Sequence, residues 1–162
     1  LWNYLVKKKN LGNFLLNNYL IVNNSKDLII LMRSNSYTKK VSLKDNAIWE
    51  DYVFRLESSS RIDSGSVLDR DLAYIPEIIF KEGVYIRNWI NGDSYLSSNL
   101  KKKKVSKLFI KNKFNNYQKM THPIFVDSRD QIIWIPELLS ARHIGAHYKN
   151  NNYIKISKEI LN

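Results

Sequence analysis

The sequence predicts an α+β fold in which short antiparallel strands pack with one or two helices, arranged as two small subdomains. Three observations carry this. Apolar runs are short and strand-like, with Tyr52, Phe54 and Leu56 alternating at period two. Strong turn chemistry separates such runs, as at Asn91-Gly92. One stretch changes period: Val105, Leu108 and Phe109 stand at i, i+3 and i+4, the spacing of one helical face. At 162 residues the chain fits one domain or two small ones whose cores need each other.

The first unit is expected over residues 1–82. Leu1 to Val6 reads as the tail of a helix. Leu11 to Leu15 and Leu28 to Met32 read as two strands around the turn-prone Asn23-Asn24-Ser25. Ala47 to Leu56 reads as a half-buried strand, and Ser58-Ser59-Ser60 with Gly65 as a loop or linker. Leu72 to Phe80 is apolar, and Pro76 argues against an uninterrupted helix there.

The second unit is expected over residues 83–162. Val84 to Ile90 reads as a strand ended by the Asn91-Gly92 turn. Ser97-Ser98-Asn99 offers a helix N-cap, with Lys101 to Lys104 in the first helical turn. A second short helix is expected around Asn115 to Met120. Pro123 to Val126 and Gln131 to Ile135 read as strands joined at Asp127-Ser128-Arg129-Asp130. The end of the sequence carries a weak strand signal at Tyr153, Ile154 and Ile156.

Charge distribution is the most informative feature. The net charge is +11, and from Ser94 to Val126 there is no Asp or Glu. That interval holds Lys101, Lys102, Lys103, Lys104, Lys107, Lys111, Lys113 and Lys119. Asn, Lys, Ile and Tyr are abundant throughout, so the missing acids are better evidence than the lysine count. Such a block repels itself and attracts a polyanion. Nucleic acid and an anionic membrane surface are the natural partners; a solvated polar face is the plainer reading. Cations in a first helical turn oppose the helix dipole, and a bound phosphate reverses the sign. Membrane binding needs a broader apolar face than Val105, Leu108 and Phe109 provide. Tyr95 is the best candidate for base stacking, whereas Trp49, Trp89 and Trp134 lie in apolar runs suited to a core.

Other chemistry is poorly supported. There is no Cys, hence no disulfide and no thiolate zinc site, which suits a reducing compartment. No apolar run reaches the roughly 18–20 residues of a membrane span, and no secretory signal is evident. The sequence begins at Leu1, compatible with a piece of a longer chain. His143 and His147 stand at i, i+4 without the adjacent Glu of a zinc protease helix. Ser64-Gly65-Ser66 has too few glycines for a phosphate loop, and nothing fixes Asp63, Asp69 and Asp71 as a metal site.

Ordered motifs in the second half resemble the C-terminal domain of tRNA(Ile)-lysidine synthases. Arg87-Asn88-Trp89-Ile90-Asn91-Gly92-Asp93 is similar to that family's Arg-x4-Gly-Asp segment, with Gly92 and Asp93 as the motif turn. Lys102 to Ile110 is similar to its Lys-Lys-apolar-Ser block, and Ile132-Ile133-Trp134-Ile135 to its Ile-Ile-Trp-Val segment. The chain departs from the pattern at Ser94, at Ser97 to Leu100 and beyond Trp134. Elements of the first half resemble a linker or substrate-recognition region more loosely.

The resemblance implies tRNA recognition through the acceptor stem, with Arg87 and the eight lysines on phosphates. It implies no catalytic residue and no cofactor in this stretch. ATP and lysine would be used by an N-terminal catalytic domain whose Ser-Gly-Gly-x-Asp-Ser loop does not occur in these residues. The implied partners are tRNA(Ile), that catalytic domain in cis or in trans, and, as an open alternative, a second copy in a homodimer; no membrane is expected. The implied location is the cytoplasm or an organelle of bacterial descent. A stand-alone basic RNA-binding module is the alternative reading.

Overall fold

The computed structural model describes the backbone of residues 14–16, 19–24 and 27–32, and residues 40–63, 69–97, 101–140 and 152–161 in full. The expected N-terminal helix tail, Gly65, His143 and His147 lie outside the described residues.

The fold is α+β, built from antiparallel strands and, among the described residues, three short helices. In chain order the strands β1 (Phe14–Leu16), β2 (Tyr19–Asn24) and β3 (Asp27–Met32) form a meander. Sequence reading missed the middle strand, because Asn23 and Asn24 look like turn residues; Asn24 instead pairs with Asp27 at the strand end. Then come β4 (Lys40–Ser42), β5 (Ala47–Trp49), β6 (Tyr52–Ser59) and β7 (Leu72–Pro76). The single strand expected over 47–56 is a hairpin, bent at Glu50, which takes a left-handed φ of 51°. Pro76 separates β7 from helix α1 (Glu77–Glu82), as its missing N–H and fixed φ favour.

Beyond Gly83 lie β8 (Tyr85–Arg87), β9 (Ser94–Leu96), β10 (Lys102–Lys104), α2 (Val105–Lys111) and α3 (Asn116–Thr121). Asn115 caps α3 in a reciprocal box with Gln118. Next come β11 (Ile124–Val126), β12 (Ile132–Trp134) and β13 (Tyr153–Ile160). No helix among the described residues is long and apolar enough to cross a membrane.

Two four-stranded sheets organise the molecule, in the orders β12-β11-β8-β4 and β5-β6-β13-β7. Both cross the boundary expected at residues 82/83: β4 pairs with β8, and β13 lies between β6 and β7. The sheets face each other over a first core. There Phe54 of β6 meets Phe125 and Trp134 edge-on at 4.8 and 5.9 Å, and Ile75, Ile86 and Ile156 complete the packing. A second core forms on the other face of β11 and β12, where Ile124, Val126, Ile132 and Ile135 meet Val105 and Phe109 of α2. Strands buried on both faces read as continuous apolar runs, which is why Ile124-Phe125-Val126 and Ile132-Ile133-Trp134 show no polar alternation. Trp49 and Trp134 are buried as expected, their indole N–H groups donating to Thr121 O and Arg70 O. Trp89 is half-buried and edge-on to Phe109 at 5.9 Å.

Candidate nucleic-acid interface

The lysine-rich stretch does not begin as a helix. Lys102, Lys103 and Lys104 form β10 and pair with Leu96, Tyr95 and Ser94 of β9. The serine expected to cap a helix closes this hairpin instead: Ser97 N and Oγ both donate to Lys101 O, at 2.9 and 2.8 Å. Helix α2 starts only at Val105, whose N–H donates to Asp93 O at 3.0 Å. Lys101 to Lys104 therefore precede the helix instead of filling its first turn. The cations stand on a strand, where successive side chains alternate between faces.

Lys101, Lys102, Lys103 and Lys104 are all exposed. On α2, Val105 and Phe109 are buried, while Lys107 and Lys111 lie one turn apart on the exposed side. Lys113 follows the helix with a left-handed φ of 58°, and Lys119, half-exposed, stands in the last turn of α3. Among the described residues none of these eight lysines has an ion-pair partner, although the protein forms ion pairs elsewhere. Their mutual repulsion is balanced only by solvent and counterions.

Tyr95 is a strand residue, half-buried against the second core, and burial pushes its phenol pKa up. It presents less free ring to a base than the loop tyrosine expected from sequence.

Arg87 is buried rather than displayed at the surface. It was expected on a phosphate, yet its side chain is only 3% exposed. Nη1 donates to Asp93 Oδ2 at 2.8 Å and to Asn88 O at 2.9 Å, and Nη2 to Asp93 Oδ1 at 2.9 Å. Nε and Nη2 reach Asp130 Oδ1 and Oδ2 at 3.1 and 3.2 Å. A guanidinium has five N–H donors, and these contacts engage all of them. Burial works against the charge, but the hydrogen bonds donated to Asp93 and Asp130 outweigh it and raise the Arg87 pKa. Burial likewise opposes the charge on Asp130, and Arg87 and Lys40 hold its pKa below the usual value. Lys40 lies 3.1 Å from Asp130 and 4.7 Å from the centre of the Tyr85 ring. Gly92 has φ +100°, open to glycine but strained for other residues, as the motif turn demands.

A charged cluster with no signal in the sequence surrounds Lys158 of β13, the register partner of Phe54. Lys158, its side chain 6% exposed, bridges Glu137 and Asp71 and lies 4.9 Å from the centre of the Tyr52 ring. His122, buried beside Tyr52 and Phe114, makes a 2.9 Å hydrogen bond to Pro136 O. Since that carbonyl only accepts, Nε2 carries the proton. Asp63 and Asp69 are engaged in local bonds, with Tyr74 Oη and Asp71 N.

No family model matches the chain. Over 60 residues, 36% of its length, the chain is 38% identical to a tRNA(Ile)-lysidine synthase of Shouchella clausii (strain KSM-K16), and it spans 13% of that relative. In fold it is similar to the crystal structure of the TilS C-terminal domain, with a TM-score of 0.68 at 19% identity, covering 77% of this chain and 98% of that one. Locally in sequence, and across most of its length in fold, the chain is thus similar to the C-terminal region of tRNA(Ile)-lysidine synthase.

Proposed function

We propose that this chain is the tRNA-gripping part of a tRNA(Ile)-lysidine synthase, holding its RNA through the phosphate backbone. The observation that carries this is a run of exposed lysines without ion-pair partners, on a hairpin and helix, in a fold shared with that enzyme's C-terminal domain. A folded RNA is gripped mainly through backbone and shape, which needs point charges on a firm scaffold more than base-reading side chains. Lys101 to Lys104, Lys107, Lys111, Lys113 and Lys119 are the contacts. In this reading ATP and lysine are used by a catalytic N-terminal domain, in cis or in trans, and the protein works in the cytoplasm or in an organelle of bacterial descent.

The test is binding to isoleucine tRNA with a wobble cytidine, and to an unrelated tRNA, over a salt series. The expected result is preference for the first, with a steep salt dependence. Changing Lys101 to Lys104 to Ala should flatten the slope by roughly one unit per lost phosphate contact. Steep but equal binding to both RNAs favours the stand-alone basic module. Weak binding unaffected by the substitutions makes the lysines a solvated face and sinks the proposal.

A further inference from the structure

The geometry points to Arg87 and Asp93 as positioning residues that set the lysine-bearing hairpin and α2 in place for RNA, with Arg87 itself making no RNA contact; this rests on the RNA-binding reading above. Arg87 sits on β8, flanked in its sheet by β4 and β11. From that anchor the guanidinium takes both oxygens of Asp93 in a forked pair, at 2.8 and 2.9 Å.

Asp93 then fixes three things at once. Its Oδ2 accepts from Ile90 N at 2.8 Å and its own N–H donates to Ile90 O at 3.0 Å, which closes the Asn91-Gly92 turn. Its carbonyl accepts from Val105 N, the first residue of α2. The next residue, Ser94, opens β9 and is the register partner of Lys104. The direction of β10 and the start of the helix bearing Lys107 and Lys111 therefore both hang on one carboxylate held by one buried arginine. The second carboxylate, Asp130, ties the same arginine to the turn between β11 and β12. No guanidinium donor remains for a phosphate.

Charge and position make opposite predictions for Asp93. As a negative charge near a basic surface, it opposes a polyanion, and neutralising it should tighten binding. As a clamp, it supports binding, and neutralising it should loosen the hairpin.

The experiment uses the full chain with Asp93→Asn, Arg87→Lys and the double variant. It measures affinity for isoleucine tRNA alongside amide hydrogen exchange. We expect each single variant to bind about tenfold more weakly, and the double to bind no worse than the weaker single, because both break the same contact. Exchange should quicken at Val105 and across residues 94–96 and 102–104, while β11 and β13 stay protected. Unchanged or tighter binding by Asp93→Asn, with unchanged exchange, overturns the assignment, as does loss of protection throughout both large sheets. If the wild-type chain binds no tRNA, the RNA reading fails, and the exchange pattern still decides whether Arg87 and Asp93 hold the hairpin.

Discussion

At the scale of single residues, the buried polar groups are the most exacting part of the structure. His122 is 3% exposed and ringed by Tyr52, Phe109 and Phe114, with Glu137, Lys158 and Asp71 close enough to affect its charge. Burial pushes its pKa below the usual 6.5. A group with a depressed folded-state pKa binds fewer protons folded than unfolded. Its contribution to stability is therefore complete above the unfolded value and is lost as pH falls through the folded one. The thermal midpoint should drop as pH is lowered below about 6.5, and His122→Gln should reduce that dependence when the two pH profiles are compared. Neither His122 nor its surroundings were legible in the sequence, where a lone histidine before a proline carries no pattern. Asp130 was equally hidden: it reads as one polar residue in a turn, and only folding sets it against Arg87. Arg87 was found by its motif, but spacing cannot show that its guanidinium faces two carboxylates rather than solvent.

At the scale of elements, some local signals were legible and others, such as the Trp49–Tyr52 hairpin, were not. The short helix expected around Asn115 to Met120, the break expected at Pro76 and the helical face of Val105 and Phe109 are local signals, and the structure contains them. The stretch 101–104 misled because lysine has fair helix propensity and poor strand propensity. Here the hairpin bonds from Ser97 to Lys101, and the tie from Asp93 to Val105, override that preference. The Asn91-Gly92 turn depends on a backbone conformation more than on packing, since a Cβ at Gly92 would meet nothing within 4 Å. Gly92→Ala should therefore cost about 1–3 kcal/mol from φ strain alone, measurable by urea denaturation. Phe109→Ala, which empties the centre of the second core, should cost about 3–5 kcal/mol.

At the scale of the whole molecule, the α+β class and antiparallel pairing were legible, because period-two runs and turn residues report them directly. The interleaving of the two halves was not. Nothing in a local pattern shows that β4 will pair with β8, or that β13 will lie between β6 and β7. The weak signal at Tyr153, Ile154 and Ile156 proved to be an eight-residue strand with neighbours on both sides. Deleting residues 153–162 should abolish cooperative unfolding, because Ile156 leaves the first core and β7 loses its neighbour; calorimetry would show the transition gone.

That same strand orders events during synthesis. At roughly 5–20 residues per second, β6 and β7 leave the ribosome well before Tyr153–Ile160 exists to join them. Among the described residues β7 has no other strand partner, so until then it offers an open edge to any extended chain nearby. The nascent protein is thus most prone to mispairing in the interval before its closing strand is made, and any factor that shields it then acts on the edges of β6 and β7.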